Sequence, residues 1–127
     1  MIRKARIEDI KQIQGLINDF AKRDLVLPRS LNELYENIRD FWVAQINNKI
    51  IGCAAMHISW EDLAEVRSVA VKKDKQNKGI GRQLVNACLG EAENLGAKKI
   101  FVLTYSPAYF KKFGFRRVKH SVLPHKI

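Results

Sequence analysis

The segment that most constrains this chain runs from Val69-Ala70-Val71 through the charged stretch Lys72–Lys78 to Gly79-Ile80-Gly81-Arg82. An apolar strand, a glycine-bearing loop and the start of an amphipathic helix lie end to end. The first amides of a helix have no partner inside it, and the helix dipole puts partial positive charge at that end. Such a junction is an anion site. Gly79 and Gly81 let a phosphate approach the backbone with no Cβ in the way. Lys72, Lys73, Lys75, Lys78 and Arg82 surround it with positive charge. Two common phosphate loops are excluded. A P-loop needs Lys-Ser/Thr after its last glycine, and here Gly81 is followed by Arg82-Gln83. A dinucleotide fingerprint needs a small residue where Leu84 stands. A glycine turn that merely opens a helix shares the same spacing, so the surrounding chain has to decide.

Around this junction the pattern alternates between helical and strand periods. Ile2 to Ala5 reads as a short strand. Ile10, Ile13, Leu16, Ile17 and Phe20 predict a helix over residues 7–23. Pro28 makes 25–29 a loop, and Ser30 with Glu33 forms a capping box for a second helix reaching Ile38. Residues 41–46 and 50–58 read as a hairpin about Asn47-Asn48-Lys49, and 63–71 as a third strand of that group. Helix 79–95 ends at Gly96, strand 99–103 follows, and Pro107 opens a short helix reaching Phe113. A last strand starts over Gly114–Val118. The implied class is α/β (α+β), a mixed central sheet flanked by helices.

A length of 127 residues is one domain's worth, so 1–127 reads as a single domain. Apolar residues at 46% and charged residues at 28% exclude a disordered chain. Cys53 and Cys88 make no disulfide framework and no metal-type spacing, which fits a reducing, cytoplasmic compartment and no bound metal. The apolar runs are too short to span a membrane, and the N-terminus has no signal-peptide core. A net charge of +10 favours an anionic partner. No helix-turn-helix or aromatic RNA motif accompanies it, so nucleic acid is not the expected partner.

The Gln76-x-x-Gly79-x-Gly81 loop after the Glu65–Val71 run resembles motif A of the GNAT-type N-acetyltransferases. Pro107 to Phe115, with its Gly114-Phe115, resembles the short helix and Gly-Phe that follow strand five there. The resemblance covers nearly the whole chain, in the same element order. Leu27-Pro28-Arg29-Ser30, Gly52 to Ala55, Phe101 to Tyr105 and Leu123 to Lys126 look like the acetyltransferase domain of short N-acetylglutamate synthases.

This resemblance implies a GNAT fold with acetyl-CoA in a cleft where two strands splay apart. Val69, Ala70 and Val71 would pair their backbone with the pantetheine arm. Gln76 stands in the same loop, and the amides of Asn77, Lys78, Gly79, Ile80, Gly81 and Arg82 would hold the pyrophosphate. The acceptor amine must lose a proton before it attacks, and Glu65 is the expected base, acting through a water. Alternation puts Glu65, Arg67, Val69 and Val71 on one face unless a bulge intervenes. Glu65 and Arg67 could equally be a surface pair. The family often donates a proton from a tyrosine four residues before Gly114, but Phe110 stands there. Tyr105 is the preferred substitute, then Tyr109, whose plain alternative is aromatic packing. An anionic acceptor calls for cations, ranked Arg29, Arg67 and His57, each of which also has an ordinary structural reading.

The expected activity is acetyl transfer to a small anionic amino acid, L-glutamate, by direct attack in a ternary complex, as in arginine biosynthesis. Alternatives are another amino acid, a peptide N-terminus, a lysine, or a non-catalytic acetyl-CoA-binding module. A homodimer is frequent in the family and enters here only as analogy.

Overall fold

The computed structural model describes residues 1–23, 25–104 and 106–118. The helical stripe Ile10, Ile13, Leu16, Ile17 and Phe20 is buried along α1 (Ile10–Ala21). A 3-10 turn over Ile7–Asp9 precedes it, so the predicted helix starts as a tighter coil. Asp9 fixes this start. Its carboxylate accepts from the Arg6 N–H at 2.8 Å and from two Arg3 nitrogens at 2.7 and 3.1 Å. α2 (Leu31–Glu36) opens at the expected box, with the Glu33 N–H donating to Ser30 Oγ at 3.2 Å.

The strands are β1 (Ile2–Lys4), β2 (Phe41–Ile46), β3 (Lys49–Trp60), β4 (Leu63–Val71) and β5 (Lys99–Val102). They form one sheet in the order β1-β2-β3-β4-β5. The first four pair antiparallel and β5 runs parallel to β4. Asn47 and Asn48 both take positive φ, as a tight hairpin between twisted strands requires. α3 (Ile80–Asn94) and the short α4 (Pro107–Lys111) follow β4 and β5.

Each sheet face carries its own core. α1 and α2 cover Phe41, Val43, Ile50, Cys53, Ala55 and Ala70. α3 and α4 cover Ala44, Ile51, Ala54, Met56, Ala64, Val66 and Val71. Twelve buried apolar side chains on each face, at about 1.5–3 kcal/mol for a large one, dominate the favourable side of folding.

One strand departs from simple alternation. Cys53 pairs with Ala70 but Ala55 with Arg67, so β4 carries one more residue than β3 across this step. The extra residue is accommodated by Ser68, whose φ of +57° lies in the left-handed region. Side chains beyond the bulge change face. Val69 and Val71 join Ala64 and Val66 against α3, while Ala70 turns under α1. The predicted grouping of Val69 and Val71 with Glu65 and Arg67 is therefore corrected. Residues 115–118 form no strand, because no ladder partner stands beside them among the described residues. The strand expected to start over Gly114–Val118 is thus absent there, and its continuation lies outside the described residues.

Candidate active site

β5 accompanies β4 only from Leu63 to Val66. Among the described residues, β4 then continues to Val71 with no strand on that edge. The two strands part there, and the edge of β4 after the bulge faces the gap. A cavity of about 940 Å³ occupies it. Its walls come from both faces of the sheet: Phe20, Val26, Leu27 and Arg29 on the α1 side, and Gly79, Gly81, Arg82 and Tyr109 on the α3 side. The cavity therefore connects the two sides through the splay.

At the α3 end, Gly79 caps the helix with φ +82° and Asn77 also takes positive φ. This backbone favours glycine at 79 and turns the loop into the helix axis. The first-turn amides of Ile80, Gly81 and Arg82 have no i−4 carbonyl within the helix. Gln76 closes the loop onto β4 by donating from Nε2 to the Val71 carbonyl at 3.0 Å. The Lys72 N–H donates to the Ile51 carbonyl at 2.8 Å. Both bonds hold the glycine turn at the end of β4.

At the α1 end stand Glu65, Arg67 and Arg29. Glu65 is 5% exposed, and its Oε1 lies 3.6 Å from Arg67 Nη1. Burial, then the nearby Arg29 charge, pushes the Arg67 guanidinium down from its ordinary value. Arg29 is anchored from α1. Its N–H donates to Asn18 Oδ1 at 3.4 Å, and its carbonyl accepts from Gln14 Nε2 at 3.3 Å. One Arg29 terminal nitrogen reaches Glu33 at 3.4 Å, while Nε is buried with no hydrogen-bond partner among the described residues. Two guanidinium groups and one carboxylate thus meet in one half-buried space. That set can hold an anion and exchange a proton beside it.

The predicted site residues divide clearly by position. Glu65, Arg67, Arg29, Val69, Val71, Gln76, Asn77, Gly79, Gly81 and Arg82 line the cavity. Ala70 does not, because the bulge turns it into the α1 core. Lys78 is exposed, and Ile80 packs against the α3 core. Their backbone amides still belong to the loop. His57 stands apart from the other two cations. Its Nδ1 sits 2.6 Å from Asp40 Oδ2, and the ring is absent from the cavity wall. A hydrogen-bonded sheet histidine accounts for that geometry. Tyr105 lies outside the described residues. Phe20, Val26, Leu27, Thr104 and Lys112 also line the cavity, and the sequence singled out none of them as a site residue. Phe20 belongs to the helical stripe and reads only as core.

The sequence profile of the acetyltransferase (GNAT) family matches residues 7–115. The chain belongs to this family. It is an acetyl-CoA-dependent N-acetyltransferase, on a mixed GNAT sheet, five-stranded among the described residues, flanked by helices. An uncharacterized N-acetyltransferase of Chlorobaculum tepidum is 36% identical over 99% of this chain and 81% of that protein. An amino-acid acetyltransferase of Mycobacterium tuberculosis is 35% identical over 94% of this chain and 70% of its own length. Among solved structures, an M. tuberculosis protein in complex with CoA and NLQ superposes with a TM-score of 0.91 at 34% identity, covering 98% of this chain and 76% of that one. N-acetylglutamate synthase from Neisseria gonorrhoeae, complexed with CoA and N-acetyl-glutamate, gives a TM-score of 0.93 at 28% identity, covering 98% of this chain and 30% of that one. This GNAT enzyme is thus related to amino-acid acetyltransferases and to the acetyltransferase part of N-acetylglutamate synthase.

Proposed function

We propose that the enzyme acetylates the α-amino group of a small anionic amino acid, L-glutamate first among them, as in the opening step of arginine formation. The observation that carries this reading is the pair Arg29 and Arg67 at the same cavity end as Glu65. Two cations that repel each other in a half-buried space are stabilised by an anion between them. A substrate carrying carboxylates meets that need, and an Arg–carboxylate fork also fixes its orientation. A polyamine would add to the repulsion.

The open edge of β4 from Val69 to Val71 and the amides of Asn77 to Arg82 fit the pantetheine arm and pyrophosphate of acetyl-CoA. Bound there, acetyl-CoA supplies an activated acetyl thioester. The remaining work falls to the chain's own groups. Arg29 and Arg67 bind the acceptor's carboxylates. Glu65 takes a proton from the acceptor ammonium, directly or through one water, so that a neutral amine is held in the splay. Phe20, Val26 and Leu27 close the apolar side and limit water there. The reading places the protein in a reducing, cytoplasmic compartment, in keeping with its two unpaired buried thiols, Cys53 and Cys88.

The test is to incubate the purified protein with acetyl-CoA and each common amino acid, and to detect acetylated products by mass spectrometry. Acetylglutamate as the main product supports the reading. Acetylation of another amino acid rejects glutamate and keeps the reaction. No product from any of them, with CoA still bound, rejects a free amino acid as acceptor.

A further inference from the structure

Tyr109 is the tyrosine of α4 that the described site leaves unassigned. Its phenol reaches across the cavity to the first turn of α3. A Cβ added at Gly81 would lie 2.6 Å from the Tyr109 hydroxyl oxygen, so the hydroxyl sits directly over the Gly81 backbone. The ring is fixed from three sides. It stands edge-on to Phe110 at 5.1 Å and tilted against Phe113 at 5.5 Å between centroids, with the Lys112 ammonium 5.9 Å above it.

The hydroxyl has no hydrogen-bond partner among the described residues, and Arg82 makes no ion pair among them. Partial burial raises the phenol's pKa and the Arg82 charge acts against that rise, which puts the two groups close together. Around one point the chain therefore gathers free first-turn amides, a phenol O–H and a guanidinium. All can donate a hydrogen bond towards that point. An anion is the missing component.

We propose that Tyr109 is a cofactor-binding residue: its hydroxyl donates a hydrogen bond to the phosphate-bearing part of CoA at the N-terminus of α3, beside Arg82. It is then not the proton donor that Phe110 cannot be. Glycine at 81 serves two contacts at once, because a side chain there would displace the phenol as well as crowd the phosphate. The inference rests on CoA binding and is independent of which amine is acetylated.

The test is calorimetric titration of the protein with CoA. Tyr109→Phe keeps the ring packing and removes only the hydroxyl. Loss of one hydrogen bond to a charged group should raise the Kd for CoA roughly tenfold. The fitted stoichiometry reports the folded fraction, so partial misfolding does not pass for weak binding. Gly81→Ala supplies the second arm. In that background the hydroxyl is already displaced, and adding Tyr109→Phe should change the Kd less than about twofold. With an acceptor identified by the amino-acid panel, the KM for acetyl-CoA should rise in step with the Kd in Tyr109→Phe. An unchanged Kd overturns the proposal. So does a Kd penalty that is equal in both backgrounds, or a fall in kcat with loss of the alkaline limb and no loss of affinity.

Discussion

Glu65→Gln is the perturbation that most directly tests the chemistry of the splay. It keeps the side chain's shape and leaves an amide that cannot accept the ammonium proton. A positioned general base typically contributes about 10²–10⁴-fold, or roughly 3–5 kcal/mol of barrier. The structure also fixes the side effect. Arg67 loses its carboxylate at 3.6 Å, and with 19% of its side chain exposed it regains only part of its hydration. A stability cost of about 1–3 kcal/mol follows. The two effects separate by assay. Initial rates of CoA release, followed with a thiol reagent from pH 6 to 10, should fall at least a hundredfold near neutrality. The deficit should shrink as pH rises, because the amine then deprotonates without help. The Kd for CoA, set at the other end of the cavity, should be unchanged. A loss under about fivefold with an unaltered pH profile would refute the base assignment and leave Glu65 as the partner of Arg67.

Three further outcomes follow from particular contacts. Asp9→Asn should lower stability by about 2–4 kcal/mol in urea unfolding, since it breaks the buried fork with Arg3. Burial pushes the Asp9 carboxyl up, but Arg3 and the Arg6 N–H outweigh it and hold it below its ordinary value. That stability is therefore present above the unfolded carboxyl's pKa and is lost as pH falls through the folded one, so the gap between wild type and variant should close in acid. Cys53 and Cys88 are fully buried and burial pushes both thiols up to about 12, so neither should react with a thiol reagent at pH 8 until the protein unfolds. Gly79→Ala should cost about 1 kcal/mol in thermal unfolding and weaken CoA binding, because φ +82° strains any residue with a Cβ; equal stability would mean the loop relaxes freely.

Much of the fold is legible in the chain because its signals are local. The stripe of α1, the Ser30–Glu33 box, the Asn47-Asn48 turn and the glycine loop before α3 each depend on residues a few positions apart. They also marked one end of the cavity, since an anion cradle at a helix start is itself a local structure. The departures arise where distant segments meet. Alternation along β4 fails at Ser68 because β3 offers one residue fewer than β4 across that step. His57 looks like a free cation until Asp40, far away in sequence, is found 2.6 Å from it. Tyr109 reads as packing until α4 folds back and sets its hydroxyl over Gly81.

The strand–loop–helix cradle, the element order and the residue types able to hold an anion and move a proton are all local to the chain. Those follow from propensity, periodicity and charge. Which of them share a space depends on how distant segments pack. The parallel pairing of β5 stops at Val66 while β4 runs on to Val71, and that mismatch opens the cavity. The bulge at Ser68 then keeps Glu65 and Arg67 at the α1 end of the cavity while sending Val69 and Val71 to the other face. Register between strands is set by the packing of both cores together, and no short window of sequence carries it.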